Sequence, residues 1–340
     1  MLTALNRRAM LQLSGAALLT ACSQSKPEAN ALADLPVMPP KEGVAAPKAA
    51  GPDGVRMIQI DGKHNVWTKK VGNGSIKVLT LHGGPGESHA YLECFEKFLP
   101  QAGIEFYYYD QLGCGLSDKP EDANLWTVDR YREEVEQVRG GLGLENFILY
   151  GHGFGAALAI EYALKYPAAL RKLVLSNMTA SSLSYETYLH QLRSTVAPDI
   201  LAKMEEYENA EKFEDPHYEA MIQQFLFAKN RCRLDPLPEP VQRSFKDMNR
   251  SIYNTMHGPN EFLVTGNMKE WNRWSDLMRI EHPTLTIGSR WDEVDPTEIE
   301  KEAHVLQHGR YAYCADGSHM CMWDDQKAYF DQLIPFLLKA

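Results

Sequence analysis

From Met57 onward, apolar residues come in short dense runs set between turns and longer amphipathic stretches. Met57–Ile60 and Asn65–Lys70 predict an opening antiparallel pair, turned at Asp61-Gly62. Ile76–Leu81, Phe106–Tyr109, Phe147–Tyr150 and Leu173–Leu175 have the apolar density of buried strands. Helical spacing fills Thr127–Leu142, with Asp129 well placed in its first turn, and it recurs through Ala157, Leu158, Ile160, Ala163 and Leu164. From Ser181 to about Trp274 the spacing is helical throughout, punctuated by prolines at 198, 216, 236, 238 and 240. Strand patterning returns at Thr284–Ile287 and Tyr311–Tyr313, and Asp324–Leu338 reads as a closing helix. Strands alternating with helices predict an α/β fold, a mostly parallel sheet with helices on both faces. Residues 55–180 and 275–340 then form the core, and 181–274 an inserted all-helical lid.

The chain ahead of this core has a different character. Arg7 and Arg8 precede the apolar run Ala9 to Leu19, which is too short for an ordinary transmembrane helix and reads as the signal peptide 1–21. Leu19-Thr20-Ala21-Cys22 resembles a bacterial lipobox, which makes Cys22 the lipidated mature N-terminus. Asn6 to Leu11 also resembles a twin-arginine signal. Residues 22–54, rich in Ala, Pro and Lys without an apolar period, read as a flexible tether. The expected location is the bacterial cell envelope, exported and lipid-anchored on the periplasmic side, with the lipid as the sole membrane contact.

Removing residues 1–21 takes away Arg7 and Arg8 and no acid, so the formal net charge moves from −10 to −12. So acidic a chain, lacking a basic patch, argues against nucleic acid as a partner. Once Cys22 is set aside, five of the six cysteines remain, Cys94, Cys114, Cys232, Cys314 and Cys321, an odd number that does not read as a disulfide framework. Buried, idle thiols are the simpler reading, with a Cys314–Cys321 bridge as the alternative. No His/Cys cluster has zinc spacing, and nothing suggests a metal or organic cofactor.

The chemistry centres on Phe147 to Tyr166, where a strand enters the turn Gly151-His-Gly-Phe-Gly155 and a helix follows at once. Strand, Gly-x-x-x-Gly and helix form the frame of the α/β-hydrolase nucleophile elbow. The apex residue of that elbow is normally serine, and here it is Gly153. Upstream, His82-Gly-Gly-Pro-Gly86 follows a strand and can offer backbone N–H groups to an oxyanion, Gly84 supplying one and Phe154, after the apex, the other. Downstream, Asp292 lies just past a strand end, with Asp295 as its competitor or as a helix cap. His319 follows in the loop between the last strand and the last helix. The order nucleophile, acid, base is that of α/β-hydrolases.

Further stretches make the resemblance specific: Tyr109-Asp-Gln-Leu-Gly-Cys-Gly-Leu-Ser117, His257-Gly-Pro-Asn-Glu-Phe262, Trp291-Asp-Glu-Val294 and Gly317-Ser-His319. Together they resemble the proline iminopeptidase (prolyl aminopeptidase) family of α/β-hydrolases over roughly residues 55–335, with the lid segment most diagnostic. The resemblance implies a small peptide or amino-acid amide as substrate. It also implies that Glu261, in the lid motif, and Glu293, after the triad aspartate, hold the substrate's free α-ammonium. An apolar groove for a proline ring is expected from lid aromatics such as Phe262, Trp271 and Trp274. Asp110 and Gln111 are expected to shape the fold.

Gly153 departs from this pattern, for glycine cannot form an acyl-enzyme. Loss of a triad nucleophile typically costs about a million-fold in turnover. Three readings follow: a serine aminopeptidase scaffold catalytically impaired as given, a lipid-anchored peptide-binding pseudoenzyme, and a related amidase or esterase.

Overall fold

A computed structural model of the chain describes residues 54–339. The expected signal peptide, the lipid site Cys22 and all but the last residue of the tether lie outside the described residues.

The apolar runs form one eight-stranded sheet: β1 (Val55–Ile60), β2 (His64–Val71), β3 (Ile76–Leu81), β4 (Ile104–Tyr109), β5 (Phe147–His152), β6 (Leu170–Ser176), β7 (Thr284–Ser289) and β8 (Gly309–Cys314). Their order is β1-β2-β4-β3-β5-β6-β7-β8. β2 pairs antiparallel with both β1 and β4, and every other neighbouring pair is parallel. β4, β5 and β7 are buried at every residue, which is why their sequences lack an apolar–polar alternation. The twofold strand period still operates: Phe147 and Leu149 enter one apolar cluster, while Ile148 and Tyr150 enter the cluster on the opposite face.

Helices cover both faces. The first cluster takes Tyr131, Val135 and Val138 from α1 (Val128–Leu142) and Ala156 to Ala163 from α2 (Phe154–Lys165). Thr127 caps α1 through its side chain, and Gly143 ends it at φ +67°. Between β6 and β7 the chain runs through α3 (Ser182–Arg193), α4 (Pro198–Asn209), α5 (Pro216–Ile222), a π-helical turn at Gln223–Phe227, α6 (Ala228–Asn230), α7 (Glu239–Lys246) and α8 (Arg250–Met256). A lone antiparallel bridge, Ser181 to Asn272, closes the neck of this insertion. It has its own apolar cluster, including Leu189, Met204, Tyr218 and Phe262, which reaches the sheet half at Val294 and Ile299. After β7 come α9 (Pro296–Val305), β8, a short α10 (Cys321–Asp324) and, past Asp325, the closing helix α11 (Gln326–Leu338), which starts two residues later than expected. Tyr329, Phe330 and Leu333 of α11 pack on the second face. The five described cysteines are buried and free.

One buried acid sits at the lid neck. Glu302 of α9 accepts a hydrogen bond from the Ala180 N–H through Oε1, while its Oε2 lacks a partner among the described residues. Burial pushes its carboxyl pKa from the ordinary 4.5 up to about 8. A carboxyl that binds its proton more tightly when folded supports the fold fully below the unfolded value, and that support is lost as the pH rises through the folded value. Glu302→Gln keeps the acceptor and removes the titration. The variant should therefore gain stability over the parent by about 1–3 kcal/mol near pH 8 and little at pH 5. Thermal melts at the two pH values decide it, and an equal Tm difference at both would contradict the assignment.

Candidate functional site

The site is assembled where the parallel strands end. β5 turns into α2 through Gly153, held at φ +53°, ψ −125°. Strand and helix approach so closely that a Cβ on Gly155 would stand 2.2 Å from the Leu81 carbonyl oxygen, so only glycine fits there. At Gly153 the surroundings differ. A Cβ there would meet His319 Nε2 at 3.3 Å and Gly83 Cα at 3.8 Å, and it would project between the β8–α10 loop and the β3 loop.

His319 and Asp292 come together although 27 residues separate them, with His319 Nδ1 2.8 Å from Asp292 Oδ1. Asp292 is fully buried; its Oδ1 also accepts from the Val294 N–H (3.2 Å) and its Oδ2 from Asn177 Nδ2 (2.6 Å). These donors fix the carboxylate, which in turn fixes the ring, with Nε2 turned toward residue 153. Asp295 is not a rival, because it caps α9 by accepting from the Thr297 N–H at 2.8 Å. Burial alone would lower the His319 pKa, but the Glu293 and Asp292 carboxylates outweigh it and hold it above the usual 6.5.

Gly84 and Phe154 line the same small cavity, of about 40 Å³, as Gly153, His319 and Glu293. Neither N–H group has a hydrogen-bond partner among the described residues, as an anion site at a helix start requires. Gly83 is pinned on both sides. Its N–H donates to Tyr91 Oη (2.7 Å), and its carbonyl lies 3.0 Å from His82 Nδ1. Asp110 and Gln111 support the loops: Asp110 Oδ1 accepts from the His89 N–H and Gln111 Nε2 donates to the His82 carbonyl.

A second feature was not anticipated from the sequence. Buried Arg231, just past α6, reaches three glutamates. It donates to Glu293 Oε1 (3.0 Å) and to Glu87 Oε1, and it stands 3.7 Å from Glu261 Oε1. Its guanidinium is flanked by the Phe227 and Phe245 rings at 5.6 and 5.4 Å. Glu293 Oε1 is also 3.7 Å from His319 Nε2, whereas Glu293 Oε2 is buried without a partner among the described residues. Burial raises the Glu293 pKa, and Arg231 offsets part of that rise. The two expected glutamates therefore differ in position. Glu293 lines the cavity beside Gly153, while Glu261 lines a neighbouring lid cavity of about 600 Å³ and meets the site through Arg231.

Residues 77–326 match the family described as alpha/beta hydrolase fold. The chain is 42% identical over 280 residues to the proline iminopeptidase of Flavobacterium johnsoniae, a span covering 81% of this chain and 94% of that protein. The chain belongs to the proline iminopeptidase family of α/β hydrolases. Two crystal structures are similar to it. VinJ has a TM-score of 0.80 at 28% identity, covering 84% of this chain and 99% of its own. The proline iminopeptidase of Mycobacterium smegmatis has a TM-score of 0.76 at 26% identity, covering 83% and 97%.

Lid aromatics do wall the cavity, through Tyr185 and Tyr253, but the three expected ones, Phe262, Trp271 and Trp274, do not. Trp271 donates its Nε1–H to buried Glu161 (2.7 Å) and, with Trp274, packs against the first sheet cluster. Phe262 is buried in the lid's own cluster. The walls are Phe154, Met178, Tyr185, Tyr253, Val264 and Met268. An indole N–H needs an acceptor when buried, and Glu161 supplies one away from the site.

Proposed function

We propose that the chain is the scaffold of a serine aminopeptidase that releases N-terminal proline, or a similar small residue, from peptides or amides, and that with Gly153 at the nucleophile position it binds such substrates with little or no turnover. The observation that carries this reading is the 3.3 Å between a Cβ built on Gly153 and His319 Nε2, whose ring is held from behind by Asp292. A serine there would present its Oγ to the imidazole. His319 would take the Oγ proton as the acyl-enzyme forms and return it to the leaving amine, with Asp292 fixing its tautomer. The Gly84 and Phe154 N–H groups would stabilise the oxyanion. With glycine at the apex, the binding groups and the oxyanion donors remain and the covalent route is closed.

The substrate's ammonium is assigned to Glu293, with the Glu261 carboxylate beside Arg231 adding negative potential. An unpartnered, buried carboxylate oxygen on the cavity wall favours a cationic donor. The walls leave room for a small apolar side chain. Attachment to a membrane of the cell envelope through lipid on Cys22 is part of the same proposal, supported by the lipobox-like sequence. Among the described residues, no helix is long and apolar enough to cross a membrane.

Calorimetry with prolinamide on the chain as it stands tests the binding half. Glu293→Gln should weaken binding at least about tenfold, near 1.4 kcal/mol, and N-acetylated prolinamide should not compete. Equal affinity for the acetylated compound would reject the aminopeptidase reading in favour of a related amidase or esterase. Cleavage of a prolyl arylamide by Gly153→Ser tests the catalytic half.

A further inference from the structure

Between the elbow and the base loop, a second histidine makes contacts that the chemistry above does not use. His152 immediately precedes Gly153 and is fully buried. Its Nε2 is 2.9 Å from the His319 carbonyl oxygen, and its Nδ1 is 3.0 Å from Tyr91 Oη. A carbonyl can only accept, so Nε2 carries the hydrogen. In the neutral ring Nδ1 then accepts from the Tyr91 hydroxyl. The Tyr91 oxygen in turn accepts from the Gly83 N–H at 2.7 Å. Every donor in this chain has one acceptor, and the direction of each bond is set by the two backbone groups at its ends. The ring is kept neutral by burial and by the neighbouring His319 charge, which together hold its pKa far below the ordinary value.

The ends of this chain matter. One end is the backbone of His319 itself. The other is Gly83, whose carbonyl faces His82 Nδ1; because His82 Nε2 accepts from the Gln111 N–H (3.0 Å), Nδ1 is the protonated nitrogen and donates. Both faces of Gly83 are thereby held, and with them the plane of the peptide that carries the Gly84 N–H. We infer that His152 and Tyr91 are positioning residues, a strap that sets the base loop at His319 and the oxyanion loop at Gly83–Gly84 at a fixed separation on either side of residue 153. The inference rests on the serine-aminopeptidase reading for its catalytic consequence and on the bond geometry alone for its structural one. Base and oxyanion donors must keep their places to within about half an ångström, and groups on separate loops do so only when tied together.

Two variants test it, Tyr91→Phe, which deletes one oxygen, and His152→Phe, which deletes the whole strap. In the Gly153→Ser background each should lower kcat on a prolyl arylamide about 10- to 100-fold with KM within about threefold, because the ammonium-binding carboxylates are untouched. The double variant should lose no more than the worse single one, since both act through one chain of bonds. A residue that served stability alone would lower the Tm and leave kcat in place. The second readout needs no turnover: in the Gly153 chain, the His319 ring followed by NMR should titrate at least about half a pH unit lower in His152→Phe, as the loosened loop moves from Asp292 and Glu293. An unmoved titration overturns the strap. A shifted titration together with a restored serine chain that turns nothing over would leave the strap standing and reject the aminopeptidase.

Discussion

Gly153→Ser is expected to cleave a prolyl arylamide about 10⁶-fold faster than the parent chain, the factor that removal of a triad nucleophile usually costs, here run in reverse. The expectation is large because nothing else has to move far. Asp292 and His319 are already at 2.8 Å, and the incoming Cβ needs only a few tenths of an ångström from the His319 ring. The backbone at φ +53° is one that a side chain tolerates with strain of about 1–3 kcal/mol, so the variant should melt several degrees lower while gaining activity. Its pH profile carries the sign of the His319 environment. Only the neutral ring accepts the serine proton, and two carboxylates hold its pKa above 6.5, so the ascending limb of kcat/KM should lie to the alkaline side of that value. A folded Gly153→Ser protein that gains less than about tenfold would refute the aminopeptidase scaffold.

The parts of this site legible in the sequence share one property: each lies where an apolar strand ends. Gly153, Asp292 and His319 follow β5, β7 and β8, and the His82–Gly86 loop follows β3. Strands buried on both faces announce themselves by composition, so their ends are easy to find and the loops beyond them easy to suspect. Arg231 had no such marker. It lies between a π-helical turn and a proline-rich stretch, and the extra residue of that turn shifts the helical register on which sequence spacing depends. Glu87 did carry a signal, as the carboxylate directly after the Gly83–Gly86 loop, but its role becomes visible only with Arg231 beside it. The lid tryptophans show the opposite error. Aromatic residues in a lid suit a groove equally well as a core, and only the acceptor for the Trp271 N–H, supplied by Glu161, decides between them.

Arg231 also changes what the acidic cluster means. Three carboxylates around one buried guanidinium are not a set of free anions waiting for an ammonium. They are a network with a built-in counter-charge: at Glu293 the Arg231 guanidinium offsets part of the rise in pKa that burial imposes. Under the proposed function, Glu293 Oε2, buried and without a partner among the described residues, is the oxygen open to the ammonium.

The second large effect concerns the acid. In the Gly153→Ser chain, Asp292→Asn should lower kcat about 10³- to 10⁴-fold with KM within about threefold. The carboxylate holds the His319 Nδ1 proton with Oδ1 while Oδ2 takes the Asn177 amide. An asparagine must surrender one of these contacts. If its oxygen faces His319, its NH₂ opposes the Asn177 NH₂; if it turns over, it donates to Nδ1 and forces the proton onto Nε2, the atom that must accept from serine. The first arrangement opposes two NH₂ groups and is disfavoured, and the second disables the base; neither touches the proposed ammonium site, which predicts the split between kcat and KM. A double variant, Asp292→Asn with Asn177→Asp, returns a carboxylate next to an amide but not next to the ring, so it should recover stability and no activity. Stability recovered together with turnover would mean that Asp292 acts on the fold and that another group sets the His319 tautomer.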